Sequence, residues 1–332
     1  MPTIHYLNVK QGDCSIIQHL SERTTVIDVC NAKKESVVEA PAISALRKLA
    51  EAGVLGNFNQ KQYPVNPITY MTERGIQSVH RFILTNPDMD HMDGIKAFFE
   101  QFSPVNFWDT DNNVEKDFSD SGPYDEDDWG FYKSLRDTNP NTNPRRLTLH
   151  SGADGPFYNR DEQSNAGGDG LYILSPTPAL VSEANECYDH NDCSYVILYK
   201  TRTYRIVFGG DSHDKTWTHI LATHRADVMN IDLLIAPHHG RDSDRSYDFL
   251  DVLKPRLTFF GNANSEHLAY QAWNSRTLWH ITNNQAGCMI VAIGDYGMAL
   301  YVTHKPFAVQ LNPQTTYDNE FKAYFCGVFS KH

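Results

Sequence analysis

The stretch FILTNPDMDHMDG, residues 82–94, decides how the chain is read. An apolar run ends at Thr85, and Asp88, Asp90, His91 and Asp93 then fall within six positions. These are hard and borderline metal ligands, and such a group is costly to bury unless a cation compensates its charge. Asn86 opens the cluster with a neutral carboxamide. A working metal site needs further ligands from elsewhere in the chain.

Outward from this stretch, SVHRFILT (78–85) reads as a buried strand that delivers the cluster at its C-terminal end, and GIKAFFEQF (94–102) as the helix after it. Upstream, TIHYLNV, CSIIQHL and TTVIDVC alternate and are β-branched, predicting three consecutive strands with turns at KQGD and SER. Residues 40–53, APAISALRKLAEAG, have helical spacing and end at Gly53. Residues 109–168 differ: DTDNNVEKDFSDSGPYDEDDWG is acidic and turn-rich, and DTNPNTNPRR is a turn cluster. They read as a loop-rich insertion or lid within a single domain of residues 1–332. Its charge run is most simply a solvated face, and its aromatics (Trp108, Trp129, Phe131, Tyr132) either cover an apolar substrate or anchor the loop. Strands resume at LYILSP, SYVILYK, YRIVFGGD, IDLLIAP, RLTFFG, TLWHIT, GCMIVAI and MALYVT. Two strand-rich halves, each with helices, predict an α/β four-layer αββα sandwich.

Composition narrows the classes. The chain has 332 residues, 40% of them apolar and 12% aromatic, enough for a substantial core. A net charge of −12 argues against a broad nucleic-acid footprint, though not against a local basic groove or carboxylates neutralised by metal. MPTIHYLNVKQGDC shows no basic segment leading into an apolar one, and no window approaches 18 uninterrupted apolar residues. No signal peptide or membrane span is expected, and a cytoplasmic location is. The six cysteines are scattered without a CxxC pair, so buried free thiols are expected.

The turns after the later strands repeat the chemistry of the first. NECYDHNDCS brings His190, GGDSHD brings Asp211 behind two glycines, PHHG brings His238 and His239, and NANSEH brings His267. A lone histidine at a strand end is more often a satisfied core or surface residue. His and Asp at the ends of successive strands are what a dinuclear hydrolytic site requires, with two cations about 3.5–4 Å apart acidifying a water.

In this order the segments resemble the metallo-β-lactamase superfamily, and within it a ComEC-like branch. The resemblance runs through LNVKQGDCSII, TVIDVC, LTNPDMDHMDG, SYVILYK, YRIVFGGDS, LLIAPHHG and NANSEH, to WHITNNQAGCMIVAI, leaving out residues 31–60 and 109–168. It implies the αββα fold, two metal sites and hydrolysis of esters, phosphodiesters or lactams. NPDMDH then occupies the family's HxHxDH position. One site would hold Asn86, Asp88, His190 and Asp211, and the other Asp90, His91, Asp211 and His238, with His239 as the alternative to His238. Asn86 departs from the family's histidine, and one carbonyl oxygen suits a harder cation such as Mn²⁺ better than Zn²⁺. Asp90 would orient the attacking water, and His267 would bind the leaving group or donate a proton.

The expected function is a metal-dependent hydrolase with one or two divalent cations, Zn²⁺ or Mn²⁺, acting on a small-molecule or nucleic-acid phosphodiester. Two alternatives stand beside it. One is a binding or sensor module of a multi-protein bacterial system, docking a protein partner through the acidic insertion. The other is a carboxylic ester, lactone or β-lactam hydrolase on the same site.

Overall fold

Alternation along the apolar runs sorts their side chains into separate cores. In the strand Val196–Lys200, Ile197 and Tyr199 join one buried cluster while Val196 and Leu198 join another. Arg205–Phe208 does the same, Ile206 and Phe208 pointing one way and Val207 the other. In the first half, Ile17, Ile27 and Ile83 share the cluster of Ile197, whereas Ile16, Val26 and Phe82 point into a third. Successive side chains of a strand face opposite ways, so each sheet is buried on both faces. The shared cluster lies between the two sheets, and the other two lie under helices. This is a four-layer αββα sandwich, in a computed structural model that describes residues 1–33, 58–119, 122–137, 142–263 and 267–329.

The first sheet contains β1 (Thr3–Tyr6), β2 (Ser15–Gln18), β3 (Thr24–Ile27), β4 (Arg81–Ile83), β5 (Asn106–Trp108) and β6 (Arg145–Leu147), side by side in chain order. The second contains β7 (Leu171–Ser175), β8 (Val196–Lys200), β9 (Arg205–Phe208), β10 (Leu233–Ile235), β11 (Leu257–Phe260) and β12 (His280–Thr282), again in chain order. In both, the first two neighbouring pairs are antiparallel and the next three parallel. The chain then returns to the first sheet. There β13 (Met289–Ile293) pairs antiparallel with β1, followed outward by β14 (Met298–Val302), then β16 (Ala323–Phe329) and β15 (Tyr317–Asp318). The two halves therefore present equivalent loops, after β3 and β4 and after β9 and β10. Crevices at the carboxyl ends of parallel strands are where open sheets build sites.

Residues 109–168 hold more regular structure than their composition predicts. Glu126–Arg136 is a helix whose Trp129, Tyr132 and Leu135 are buried with Phe98, Phe99 and Phe102 of the helix Ile95–Phe102. The Asp128 carboxylate accepts from the Gly94 and Lys96 amides at 2.8 and 3.1 Å, capping that second helix where it leaves the acidic cluster. Trp108 lies between the sheets and Phe131 packs partly buried against the outer core. All four aromatics therefore anchor the segment. The helix expected at 40–53 falls outside the described residues. Among the described residues, no helix is long and apolar enough to cross a membrane. The cysteines are free thiols, but Cys187 is exposed, contrary to the expectation of burial.

A buried histidine gives the fold an acid limit. His5 bonds the Tyr70 hydroxyl at 2.9 Å and the Gln18 carboxamide at 3.2 Å, and burial, helped by Arg74, pushes its pKa down to about 3 from 6.5. Its neutral form is favoured on folding, so this contribution is present above pH 6.5 and declines as pH falls towards 3. By pH 5 the loss reaches about 2 kcal/mol. Urea unfolding from pH 7.5 to 5 should show stability falling at least that much, and a His5→Gln variant should show a fall smaller by that amount.

Candidate metal centre

The loop after β4 is held by the loop after β3. Val29 N donates to His91 O and Ala32 N to Asp93 O, both at 3.0 Å, and Asn31 N donates to an Asp93 carboxylate oxygen at 3.1 Å. On its other side, a Cβ on Gly12 would meet the Asp90 carbonyl oxygen at 2.1 Å, so only glycine fits there. Met89–His91 winds into a single 3₁₀ turn, placing Asp90 and His91 towards the second sheet.

From that sheet, the loops after β9 and β10 deliver Asp211, His238 and His239. Both histidines have left-handed backbones, φ 53° and 58°. Such conformations cost about 1–3 kcal/mol each in non-glycine residues and collect at functional sites. They are held by His238 N donating to Gly210 O at 2.8 Å and Gly261 N donating to His239 O at 3.0 Å.

Two matched dyads result. His91 Nδ1 lies 2.9 Å from Asp28 Oδ2, and its Nε2 lies 3.2 Å from Asp211 Oδ1. His239 Nδ1 lies 3.1 Å from Asp13 Oδ1, and its Nε2 lies 3.3 Å from Asp90 Oδ2 and 3.9 Å from Asp211 Oδ1. Each imidazole is backed by its own carboxylate, which favours the proton on Nδ1 and a lone pair on Nε2, the orientation metal-ligating histidines adopt. Asp28 is anchored by the Thr85 amide and hydroxyl, both at 2.7 Å, and Asp13 by the Tyr6 hydroxyl at 2.5 Å.

The charges of the cluster hold one another. Burial opposes charge on His91, but Asp211, Asp28 and Asp90 outweigh it and hold its pKa well above the ordinary value. His239 is likewise raised against burial, by Asp13 and Asp211. Burial opposes ionisation of Asp211, yet His91 and His239 hold its pKa far below the ordinary value, and Asp90 is lowered in the same way. His91 Nε2 and Asp211 Oδ1 are both buried without a hydrogen-bond partner. Ligand atoms of Asp90, His91 and His239 all lie within 4.8 Å of one another. Two imidazole nitrogens and carboxylate oxygens, converging in a buried cluster, fit a divalent cation.

His239, rather than the preferred His238, joins this group. His238 Nε2 is 3.7 Å from Asp211 Oδ2, and its Nδ1 takes hydrogen bonds from buried Arg245 at 3.1 Å and from Ser243 at 3.0 Å. A neutral imidazole accepting at Nδ1 carries its proton on Nε2, which leaves no lone pair for a metal. Burial, with Arg245 nearby, pushes its pKa down to about 4. The sequence PHHG offers two adjacent histidines, and only the turn's left-handed geometry separates their directions.

The remaining expected ligands lie apart from this group. Asn86 is buried, its carboxamide oxygen 3.1 Å from the Thr85 hydroxyl and its nitrogen donating to Asp88 at 3.3 Å. Asp88 is ion-paired to Lys116 at 2.7 Å. His190 has a buried Nε2 without a hydrogen-bond partner, and burial lowers its pKa. His267 is exposed, its backbone carbonyl accepting from Asp242 N.

The sequence reading missed Asp13, Asp28 and Arg245. The first two had a signal, an aspartate beside an apolar strand in QGDC and VIDVC, the placement of Asp211 itself. Replacing either by asparagine keeps its shape and removes the charge that orients its histidine. Cation affinity should fall about 10–100-fold in each variant, read by competitive titration against a chelating dye.

A cavity of about 400 Å³ lies beside the cluster, lined by Lys10, Cys30, Lys61, Asp93, Tyr124 and Asn262 among others. Burial raises the Tyr124 pKa well above its ordinary value, and the negative charge of Asp90 adds to the shift.

No family model matches the sequence, and no curated protein matches it. Among solved structures the chain is similar to a mutant of the CmlA beta-hydroxylase, at 10% identity and TM-score 0.47, covering 88% of this chain and 54% of that one. It is similar to a metal-dependent hydrolase of the beta-lactamase superfamily at 9% identity and TM-score 0.46, covering 89% of this chain and 100% of that one. It is similar to a diphosphatase of the PhnP family at 12% identity and TM-score 0.37, covering 79% and 86%. The chain spans about half the length of the CmlA chain, 54%.

Proposed function

We propose that the protein is a metal-dependent hydrolase of phosphodiester or nucleotide-type substrates, as the motif-level resemblance to the ComEC-like branch implies. The observation that carries it is the pair of carboxylate-backed histidines, His91 and His239, converging with Asp90 and Asp211 in one buried cluster of ligand atoms. A divalent cation held by these four residues would supply Lewis acidity and make water acidic enough to attack at neutral pH.

The chain's own groups divide the remaining work. Asp28 and Asp13 fix the two imidazoles, so little reorganisation is needed during turnover. Asp90 is the most exposed of the four, its side chain 21% accessible, which places a carboxylate where it can orient an incoming water and accept its proton. Lys10 and Lys61 line the neighbouring cavity and would attract an anionic phosphoryl group there. The aromatics once candidates for covering an apolar substrate are buried in packing, which favours the phosphodiester over the ester or lactone alternative.

Hydrolysis of bis-p-nitrophenyl phosphate, with Zn²⁺, Mn²⁺ or chelator added, tests this. Turnover that requires the cation and exceeds turnover of p-nitrophenyl acetate is expected. Acetate hydrolysis alone, or turnover indifferent to chelator, would contradict it.

A further inference from the structure

We propose that Lys116 takes the place of a first cation, so that the chain binds one divalent cation where the resemblance implies two. The inference rests on reading Asp90, His91, His239 and Asp211 as a cation site, and concerns the neighbouring set of Asn86, Asp88 and His190.

In that set the Asp88 carboxylate is already engaged. Lys116 Nζ lies 2.7 Å from Asp88 Oδ1, and the Asn86 amide nitrogen donates to Asp88 Oδ2 at 3.3 Å. Both carboxylate oxygens thus have donors from within the chain. The Asn86 carbonyl oxygen, its one metal-binding atom, lies 3.1 Å from the Thr85 hydroxyl, whose proton goes to Asp28 at 2.7 Å. As a neutral carboxamide it supplies no charge to hold a divalent ion against Lys116. His190 retains a buried Nε2 without a hydrogen-bond partner, and both Asp88 and Lys116 act on it electrostatically. One imidazole and the shared Asp211 are too few ligands to compete with an ammonium already in contact.

Lys116 is also built into its position. Its Nζ sits 5.8 Å from the centre of the buried Trp129 ring, and its side chain is 24% exposed. Val114 and Phe118 on either side pack against the helix-covered core. Val114 O accepts from Arg136 at 2.7 Å, and Asn113 N donates to Asn185 at 3.0 Å. The segment is therefore fastened to helices on two sides and presents the ammonium from above. A fixed monovalent cation there neutralises Asp88 and leaves two donors for an anionic substrate, without the water-activating power of a divalent ion.

The test is the cation count per chain after dialysis against Mn²⁺ or Zn²⁺, by mass spectrometry, in the full-length protein and in Lys116→Met and Lys116→Arg. One cation in the parent, two in Lys116→Met and one in Lys116→Arg are expected, with near-identical circular dichroism. Two cations in the parent, or one in Lys116→Met as in the parent, would overturn the proposal and leave the cation site of Asp90, His91, His239 and Asp211 standing. No cation in any of the three would overturn that site as well.

Discussion

Asp211→Asn is expected to lower kcat/KM for a phosphodiester substrate by on the order of 10³-fold, about 4 kcal/mol of transition-state stabilisation. The substitution keeps volume and removes a buried charge that faces histidines from both sheets: His91 Nε2 at 3.2 Å and His239 Nε2 at 3.9 Å. Burial would by itself favour neutral Asp211, and the histidines overcome it, so the carboxylate is held ionised by the partners it serves. Asparagine leaves those imidazoles facing a carboxamide, which attracts a cation weakly and offers one oxygen. The rate loss should therefore come with a matching loss of cation affinity. Parent-like kcat/KM in a folded Asp211→Asn protein would remove Asp211 from the chemistry.

The second large effect lies away from the site. Arg81 is buried at the start of β4, its Nη1 2.7 Å from Asp169 Oδ2 and 2.9 Å from the Thr25 hydroxyl, and its Nη2 3.2 Å from the Phe157 carbonyl. Asp169 also takes Arg23 Nε at 3.1 Å and the Ser21 hydroxyl at 2.5 Å. The first sheet is tied in this way to the segment that leads into β7. Removing one partner of a buried ion pair leaves the other desolvated, so Arg81→Met should cost about 3–5 kcal/mol. Because Arg23 still touches Asp169, the lower end of that range is expected. Urea unfolding followed by tryptophan fluorescence measures it. A loss under 1 kcal/mol would show that the network contributes little to folding.

Much of the fold is legible because two kinds of sequence signal agree. VILYK, RIVF, LLI and LTFF are predominantly apolar runs, the last three ending within two residues of a glycine or proline, and sheets buried on both faces demand such runs. The shortest strands, towards one end of the first sheet, were not legible. Asn106–Trp108 and Arg145–Leu147 are three residues each, and a period of two cannot be read over so short a span. The helix Glu126–Arg136 was hidden by its own composition, since three acidic residues open it and only Trp129, Tyr132 and Leu135 mark its buried face.

The site divides on similar lines. Asp90, His91 and Asp211 could be singled out because each follows an apolar strand at a turn that leaves its side chain free. His238 and His239 could not be separated, because their directions depend on two consecutive left-handed residues and on Arg245, six or seven positions downstream. Lys116 was equally invisible, being one lysine in an acidic stretch whose path across Asp88 is set by packing at Val114 and Phe118. Pairings between loops of different sheets carry no local signature in the chain.

X-ray absorption fine structure of the Zn²⁺-loaded protein tests the central claim most directly, that His91 and His239 converge with Asp90 and Asp211 on one cation. Two imidazole nitrogens per zinc, falling to one in His239→Ala and remaining two in His238→Ala, is the expected result. A zinc shell of oxygen alone, or an imidazole lost on removing His238 but not His239, would contradict it.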